Sequence, residues 1–158
     1  MDQEGNHDKV YGEDRTKGIS LTFPYRITCT INENICVADI LNNQYGRVVM
    51  LGKDDMINTY SGHPVINTED KPFTPTGLTT TPADNAIVAD AENYALHILN
   101  SSGNLITYIS TKDKGILQNP YSIGHTMAGH FFMLYLGTSC QLGSIDNGKL
   151  YKLNLTGC

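Results

Sequence analysis

An internal repeat of about 50 residues constrains the fold of this chain more than any other feature of its sequence. Both copies begin with a proline and lead to a Val-Ala-Asp sequence, and Asp39 follows Pro24 at the interval at which Asp90 follows Pro75. An apolar run comes next, and then a strand-like segment that ends in Thr-Tyr. Repeats of this kind form arrays in which each unit buries its apolar face only against its neighbours. The sequence therefore predicts an array of similar units.

Short strands separated by turns are predicted throughout, because segments rich in Val, Ile, Leu, Tyr and Thr alternate with Gly, Asn and Asp. No stretch keeps the apolar period of a helix. The predicted strands cover residues 25–30, 34–39, 47–51 and 56–60 in the first unit, 76–81, 86–90, 95–99 and 104–110 in the second, and 120–123, 131–136 and 149–155 in the third. A four-stranded antiparallel meander is the blade of a propeller. The predicted fold class is therefore all-β, with about three blades of a partial propeller.

The repeat also divides the chain. We predict blades at residues 19–62, 63–112 and 113–158, preceded by residues 1–18 as either the remnant of an earlier blade or a flexible tail. The first segment matches only the last hairpin of a blade, so we expect a fragment of a larger propeller. The third unit has no fourth strand, but closed propellers often complete the last blade with a strand from their start, so Cys158 is expected to be a genuine C-terminus. An open half-propeller exposes two blade faces and a row of unpaired strand groups. Self-association or aggregation of the isolated chain is therefore expected.

Charge and hydropathy exclude some classes of partner. The 158 residues carry a formal net charge of −5, and the 11 Lys and Arg residues are scattered, which disfavours RNA as the ligand. The longest strongly apolar stretch, residues 131–136, is far shorter than a membrane span. The first five residues are acidic and polar, and they lack the apolar segment that a secretory signal contains. We expect a cytoplasmic protein with no membrane partner.

The four cysteines are expected to be free thiols. None belongs to a Cys-x-x-Cys pair, so a zinc finger or a RING-type site is not predicted. Cys29 and Cys36 flank a tight turn and are expected to lie opposite each other on adjacent strands, where a disulfide is possible but geometrically awkward. We favour buried or half-buried thiols in a reducing compartment.

Asp39 and Asp90 occupy equivalent positions at predicted strand ends. Two carboxylates near a shared axis could hold a cation. An aspartate at a strand end can also accept hydrogen bonds from backbone N–H groups of the following turn. A catalytic carboxylate usually occurs only once in a protein, whereas a turn residue occurs in every copy of a structural repeat. The repetition therefore favours a structural role in a turn for both aspartates.

Histidines are the other candidate ligands. His63, His97, His125 and His130 could converge on a metal, but none has a diagnostic spacing such as His-Glu-x-x-His. We favour surface or packing histidines. No Gly-x-Ser-x-Gly sequence and no phosphate-binding glycine loop occurs. The sequence predicts no catalytic residue, no metal and no cofactor.

The loops between the second and third strands of each blade are candidates for a binding surface. Such loops crowd one face of a propeller, and exposed Tyr and Arg are frequent anchors in protein interfaces. An ordinary polar loop remains the alternative. The candidate binding residues are Asn42, Asn43, Tyr45, Arg47, Asn93 and Tyr94.

The two units resemble NHL repeats, which form six-bladed propellers at the C-terminal end of many tripartite-motif (TRIM) ubiquitin ligases. The resemblance covers residues 9–155. It rests on the leading proline, the Val-Ala-Asp strand end, the Asn-rich loop after it and the apolar third strand, and the close at residues 148–153 is similar as well. The third unit departs from the pattern, since Gly137 stands where the first two units have aspartate and residues 138–147 replace a short loop.

The resemblance implies a non-catalytic module that recognises a protein substrate for polyubiquitination by a TRIM-like ligase. The ligase's RING and B-box zinc modules have no counterpart in these 158 residues, so any ligase activity belongs to a parent protein. Two alternatives come with the same family. Some NHL-like propellers are lyases that use histidines from several blades around a metal, so a metal-dependent propeller enzyme of lyase or hydrolase type is one alternative. Others bind RNA, and an RNA-binding domain is the second alternative.

Overall fold

The computed structural model describes residues 10–11, 20–53, 55–128, 131–139 and 147–155, and these residues form three antiparallel β-sheets. Within each sheet the strand order follows the chain. Sheet I contains β1 (Pro24–Cys29), β2 (Ile35–Ile40), β3 (Gly46–Leu51) and β4 (Met56–Tyr60); sheet II contains β5 (Pro75–Thr80), β6 (Ala86–Asp90), β7 (Ala95–Leu99) and β8 (Leu105–Ser110); sheet III contains β9 (Asn119–Ala128), β10 (Phe131–Ser139) and β11 (Leu150–Asn154). The all-β prediction and the two four-stranded meanders are confirmed.

Little helical structure occurs in the described part of the chain. A 3-10 helix at Lys112–Lys114 connects sheet II to sheet III and ends at Gly115, whose φ is 76°. Within the same residues, no helix is long and apolar enough to cross a membrane.

Sheet II lies between the other two sheets, and its middle strands β6 and β7 are buried on both faces. Every residue of β6 and β7 is buried, which explains why these strands read as continuous apolar runs and not as alternating ones. Val88 and Leu99 pack with residues of sheet I, whereas Ile87 and Leu96 pack against Leu134 and its neighbours in sheet III. The interior is therefore made of side chains shared between neighbouring sheets, as the repeat predicts.

The outward side of sheet I is covered at its two middle strands, β2 and β3. Val37, Val49 and Leu51 are buried and pack with Tyr11 and Leu21, which precede the first strand. The prediction that a half-propeller exposes this end face is therefore wrong for β2 and β3, because Tyr11 and Leu21 cover their apolar side chains. It is confirmed at β1, where Ile27, the cross-strand partner of Val37, is 63% exposed.

The first strands of the three sheets lie side by side, with β5 between β1 and β9. The Thr80 hydroxyl donates a hydrogen bond to the Cys29 carbonyl at 2.9 Å, and the Thr76 hydroxyl donates to the Pro120 carbonyl at 3.1 Å. These bonds join sheet I to sheet II and sheet II to sheet III. The sheets therefore fan out from a common line formed by their first strands.

A β-bulge interrupts the first strand of every sheet, one residue after its proline. The ladder pairs Pro24 with Asp39 and resumes at Arg26, so that Tyr25 has no partner. The same shift leaves Thr76 unpaired in β5 and Tyr121 unpaired in β9. A bulge of this kind bends the strand and turns the extra side chain away from its regular direction. All three bulged residues therefore occupy the same place in their sheets.

The register also corrects the comparison of the third unit with the first two. Pro120 of β9 pairs with Thr138, so Thr138 and not Gly137 occupies the position that Asp39 and Asp90 hold in sheets I and II. The Thr138 hydroxyl donates to the Lys149 carbonyl at 3.2 Å and accepts from the Lys149 backbone N–H at 3.0 Å. Counting from the start of β10 could not show this, because the bulge at Tyr121 displaces the pairing by one residue.

Cys29 and Cys36 are both free thiols, as predicted, but they do not lie opposite each other. Cys36 pairs with Thr28 and Cys29 pairs with Ile35, so the two thiols are on opposite faces of the sheet. Cys36 is buried, and its burial raises the pKa of its thiol to about 12. The prediction of buried or half-buried thiols is wrong for Cys29, which is exposed. The other two cysteines, Cys140 and Cys158, lie outside the described residues.

The two thiols are therefore expected to react at very different rates. In a Cys140→Ser, Cys158→Ser chain at pH 8, Cys29 should react rapidly with a disulfide reagent. The raised pKa alone reduces the thiolate fraction of Cys36 by about a thousandfold, and burial blocks the reagent as well. Peptide mapping should find Cys36 labelled only in denaturant. Equal labelling of both in the native protein would contradict the placement of Cys36.

Candidate functional site

A cleft of about 360 Å³ lies where the first strands of the three sheets begin. Its walls include all three bulged residues, so the bulges direct side chains from three sheets into one place. The lining side chains used below are those of Phe23, Tyr25, Ile40, Pro75, Thr76 and Tyr121. A concave site with a mostly apolar lining and a few convergent polar groups is the usual form of a binding pocket. We call it the aromatic cleft.

The aromatic side chains in this cleft are in mutual contact and accessible to solvent. Phe23 stacks on Tyr25 with ring centroids 6.2 Å apart, and the hydroxyls of Tyr25 and Tyr121 are 3.4 Å apart. The Arg26 guanidinium lies 4.0 Å from the centroid of the Tyr25 ring and donates to its hydroxyl. Phe23 is 59% exposed and Tyr121 is 43% exposed. The hydrogen bond with Tyr25 raises the pKa of Tyr121.

A second cleft, of about 410 Å³, adjoins the first and shares Thr74 and Glu92 with it. It lies between the β2–β3 loop of sheet I and the segment that leads into sheet II. Three carboxylates line it, those of Glu69, Asp70 and Glu92, together with a single ammonium group, that of Lys71. We call it the acidic cleft, since its ionised side chains carry an excess of negative charge at neutral pH.

Three of the predicted binding residues lie in the β2–β3 loop of sheet I. The Asn42 side-chain oxygen accepts hydrogen bonds from the backbone N–H groups of Gln44 and Tyr45 at 2.8 and 2.9 Å, so Asn42 shapes the turn. Asn43 lines the acidic cleft, and Tyr45 is 45% exposed. The structure therefore leaves Asn43 and Tyr45 available for a ligand.

Arg47 lies inside strand β3 and not in the loop before it, and it is 22% exposed. Its guanidinium forms a salt bridge with Asp39, with an Nη2–Oδ2 distance of 2.9 Å, and it also donates to the Ser20 carbonyl. These contacts hold the chain that precedes β1. The side chain has a structural role here, which differs from the predicted one.

Asn93 and Tyr94 lie in the matching turn of sheet II. Asn93 donates to the Asp90 carboxylate at 2.9 Å and to the Pro72 carbonyl at 3.2 Å. Tyr94 has a φ of 54°, and its carbonyl accepts from the Thr111 backbone N–H at 2.8 Å. The Lys112 ammonium lies 3.7 Å from the Tyr94 ring centroid. Both residues thus brace the turn.

Asp39 is completely buried at the end of β2 and supports one wall of the aromatic cleft. One carboxylate oxygen accepts from the backbone N–H groups of Thr22 and Phe23 at 2.8 and 2.7 Å. These donors precede β1, so the prediction that they lie in the turn after the aspartate is wrong. The chain passes over the end of β2 before it enters the sheet, and the carboxylate holds it there.

Asp90 has more partners than Asp39 and is also completely buried. Its Oδ2 atom accepts from the side chains of Asn67 at 2.7 Å, Asn93 at 2.9 Å and His97 at 3.2 Å. Its Oδ1 atom lies 3.4 Å from the backbone N–H of Thr74. Asn67 and Thr74 belong to the segment between sheets I and II, so Asp90 fixes that segment. Thr74 lines both clefts, and Asp90 therefore also fixes the wall that the clefts share.

His97 extends this network to sheet I. Its Nδ1 atom lies 2.8 Å from the Tyr60 hydroxyl, and its Nε2 atom faces Asp90. The partners assign the hydrogens: Nε2–H donates to the carboxylate and the tyrosine hydroxyl donates to Nδ1. Burial and the nearby Asp90 charge raise the pKa of Tyr60. Phe73 packs edge-on against both rings at centroid distances of 5.2 and 5.0 Å.

The predicted histidine candidates do not form a metal site among the residues that the structure describes. No group of three or more His, Cys, Asp or Glu side chains there is placed to hold a metal ion. The His63 ring accepts from the backbone N–H of Val65 at 3.3 Å, and His125 bonds the Thr79 hydroxyl at 2.7 Å. His130 lies outside the described residues.

The aromatic cleft is not among the sites predicted from the sequence, although the sequence contains one signal for it. The dipeptide Pro-Tyr occurs at the start of β1 and again at the start of β9, as Pro24-Tyr25 and Pro120-Tyr121. Both tyrosines are bulged and both line the cleft. The Tyr60–His97–Asp90 chain has no local signal, since its members come from three different strands.

No protein-family model matches this chain, and a search of curated protein sequences gives no significant match.

Proposed function

We propose that this chain is a non-catalytic protein-binding module and that its binding surface is the face with the aromatic and acidic clefts. The observation that carries the proposal is the exposed aromatic group at the point where three sheets meet. Phe23 and Tyr121 remain accessible there, whereas the apolar residues between the sheets are buried. Accessible aromatic side chains on a rigid frame are the usual anchors of protein interfaces.

We further propose that the sheets are blades of an NHL-type propeller and that the module recognises the substrate of a TRIM-like ubiquitin ligase. The adjacent first strands support a radial arrangement of blades. The features shared with NHL repeats have structural roles: the proline begins the bulged strand, and Asp39 or Asp90 holds the segment before it. Under this proposal, polyubiquitination depends on a RING module in a parent protein.

Protein is a better fit than RNA for the ligand of this face. Nucleic-acid sites present clustered Lys and Arg side chains to the phosphates. The acidic cleft presents three carboxylates and one ammonium group instead. Nothing in the described residues favours the metal-dependent lyase or hydrolase alternative over a binding module.

Site-directed photo-crosslinking tests the proposed function. A photoreactive phenylalanine derivative at position 45, in the loop whose residues Asn43 and Gln44 line the acidic cleft, should form adducts with specific proteins in cells that express the chain. The same group at position 108 is the control, because Tyr108 is 43% exposed and lies on the outer strand β8. Identical adducts at the two positions, or adducts with RNA at position 45, would refute the proposal.

A further inference from the structure

We propose that the two clefts together bind an extended peptide in which an apolar residue, best a proline or a leucine, stands next to an arginine or a lysine. The inference rests on the proposed function and names the class of ligand for the same face. The apolar side chain occupies the aromatic cleft, and the basic side chain reaches the acidic cleft.

The aromatic cleft provides an apolar contact surface with polar groups at its edge. The rings of Phe23, Tyr25 and Tyr121 offer flat surfaces on which a proline ring or a branched side chain can pack. The two tyrosine hydroxyls contact each other and retain capacity for a peptide carbonyl or N–H. An extended, proline-containing peptide loses little conformational entropy when it binds such an aromatic surface.

Charge complementarity selects the neighbouring residue of the peptide. Glu69, Asp70 and Glu92 are exposed, so they can approach a cation without first being desolvated. Complementary charges at the edge of an interface favour one partner over another and accelerate encounter. A peptide with an acidic residue at this position is repelled by the same carboxylates. The acidic cleft therefore selects Arg or Lys beside the apolar anchor.

The two clefts are held together by a fixed wall. Thr74 belongs to both, and its backbone N–H faces the buried Asp90 while its hydroxyl donates to the Gln44 carbonyl at 3.0 Å. The Pro72 carbonyl, which also lines this region, accepts from Asn93. A wall fixed before the ligand arrives reduces the ordering cost of binding. One extended segment can therefore contact both clefts.

Fluorescence anisotropy with two degenerate, labelled octapeptide pools tests the inference on the full chain. In each pool, a fixed Pro-Leu pair stands either directly before or directly after one charged residue. That residue is arginine in one pool and glutamate in the other, and the pools do not differ otherwise. The arginine pool should bind at least about tenfold more tightly than the glutamate pool, and its affinity should fall as salt is added. Weak binding of both pools, or equal binding, would overturn the inference.

Matched variants locate the site. Tyr121→Ala should weaken binding of the arginine pool by about tenfold, as expected for a central aromatic anchor. Tyr108→Ala removes an equally exposed tyrosine from β8 and should leave binding unchanged. The double variant Asp70→Asn, Glu92→Gln should reduce the preference for arginine over glutamate by about fivefold, whereas Asp113→Asn on the 3-10 helix should not.

The outcomes separate this inference from the proposed function. If folding of Tyr121→Ala is impaired, the double variant Asp70→Asn, Glu92→Gln still tests the inference, because it leaves the aromatic side chains in place and an unchanged preference for arginine would overturn it. If the peptides fail to bind but position 45 still crosslinks to proteins, the ligand class is wrong and the binding face stands. If the controls Tyr108→Ala and Asp113→Asn reduce binding as strongly as the cleft variants, the assigned location is wrong.

Discussion

Replacing Asp90 with alanine is expected to lower the free energy of unfolding by about 3–5 kcal/mol. The carboxylate is completely buried, and the substitution leaves the donors of Asn67, Asn93 and His97 without their acceptor. Unsatisfied polar groups in a dry interior cost more than the hydrogen bonds contribute when they are made. Urea titration of the variant and the unmodified chain measures the difference.

Asp39→Ala is the matched comparison, because Asp39 occupies the same position in the preceding sheet. Its main side-chain partner, Arg47, is 22% exposed and can be hydrated when the carboxylate is lost. We expect a smaller effect, about 1–3 kcal/mol. The exposed Asp113 serves as a negative control, and Asp113→Ala should change stability by less than about 0.5 kcal/mol. A larger loss for Asp39→Ala than for Asp90→Ala would contradict the role assigned to the Asp90 network.

Gly62→Ala is expected to destabilise the chain by about 3–5 kcal/mol. Gly62 follows β4 with a φ of 101°, a backbone conformation that alanine rarely adopts. A β-carbon there would also lie 2.6 Å from the side-chain oxygen of Asn67 and 2.8 Å from the β-carbon of Phe73. Both residues belong to the segment that Asp90 and Tyr60 hold in place, so the clash cannot be relieved without moving that segment.

The variant Gly115→Ala separates the cost of the backbone conformation from the cost of the steric clash. Gly115 has a φ of 76° and no atom within 4 Å of an added β-carbon, so only the backbone cost of about 1–2 kcal/mol applies. The difference between the two variants, measured by urea unfolding, reports the steric part. Equal losses of stability in the two variants would mean that the segment after Gly62 adjusts freely to the added β-carbon. That result would contradict the restraint that we assign to the hydrogen bonds of Asn67.

The strands were predictable because their signals are local. The predicted and observed boundaries of β2, β3, β6 and β7 agree to within a residue or are identical, since apolar runs and turn residues alternate along the chain. The equivalence of the two aspartates was also predictable, because it depends only on spacing. The hydrogen-bond partners of these aspartates were not predictable, because they lie far away in the sequence. Phe23 is such a partner of Asp39, and Asn67 is such a partner of Asp90.

Only part of the candidate site could be found in the sequence. Asn43 and Tyr45 were predicted because loops between strands collect on one face. Arg47 was misassigned to the loop, because pattern alone does not show that its side chain turns toward a buried carboxylate. The aromatic cleft needs three strands to meet and a bulge in each of them, and neither condition can be read from one segment at a time.

The bulges also determine how such a surface can diverge. Tyr25, Thr76 and Tyr121 each stand outside the hydrogen-bonded ladder, in the same place of their respective sheets. In β1 and β9 a side chain at this position can be exchanged without altering the pairing of the residues before and after it. Thr76 is the exception, because it is buried and its hydroxyl donates to the Pro120 carbonyl of sheet III. The surface of the cleft can therefore change at two tyrosine positions while the contact between sheets II and III stays the same.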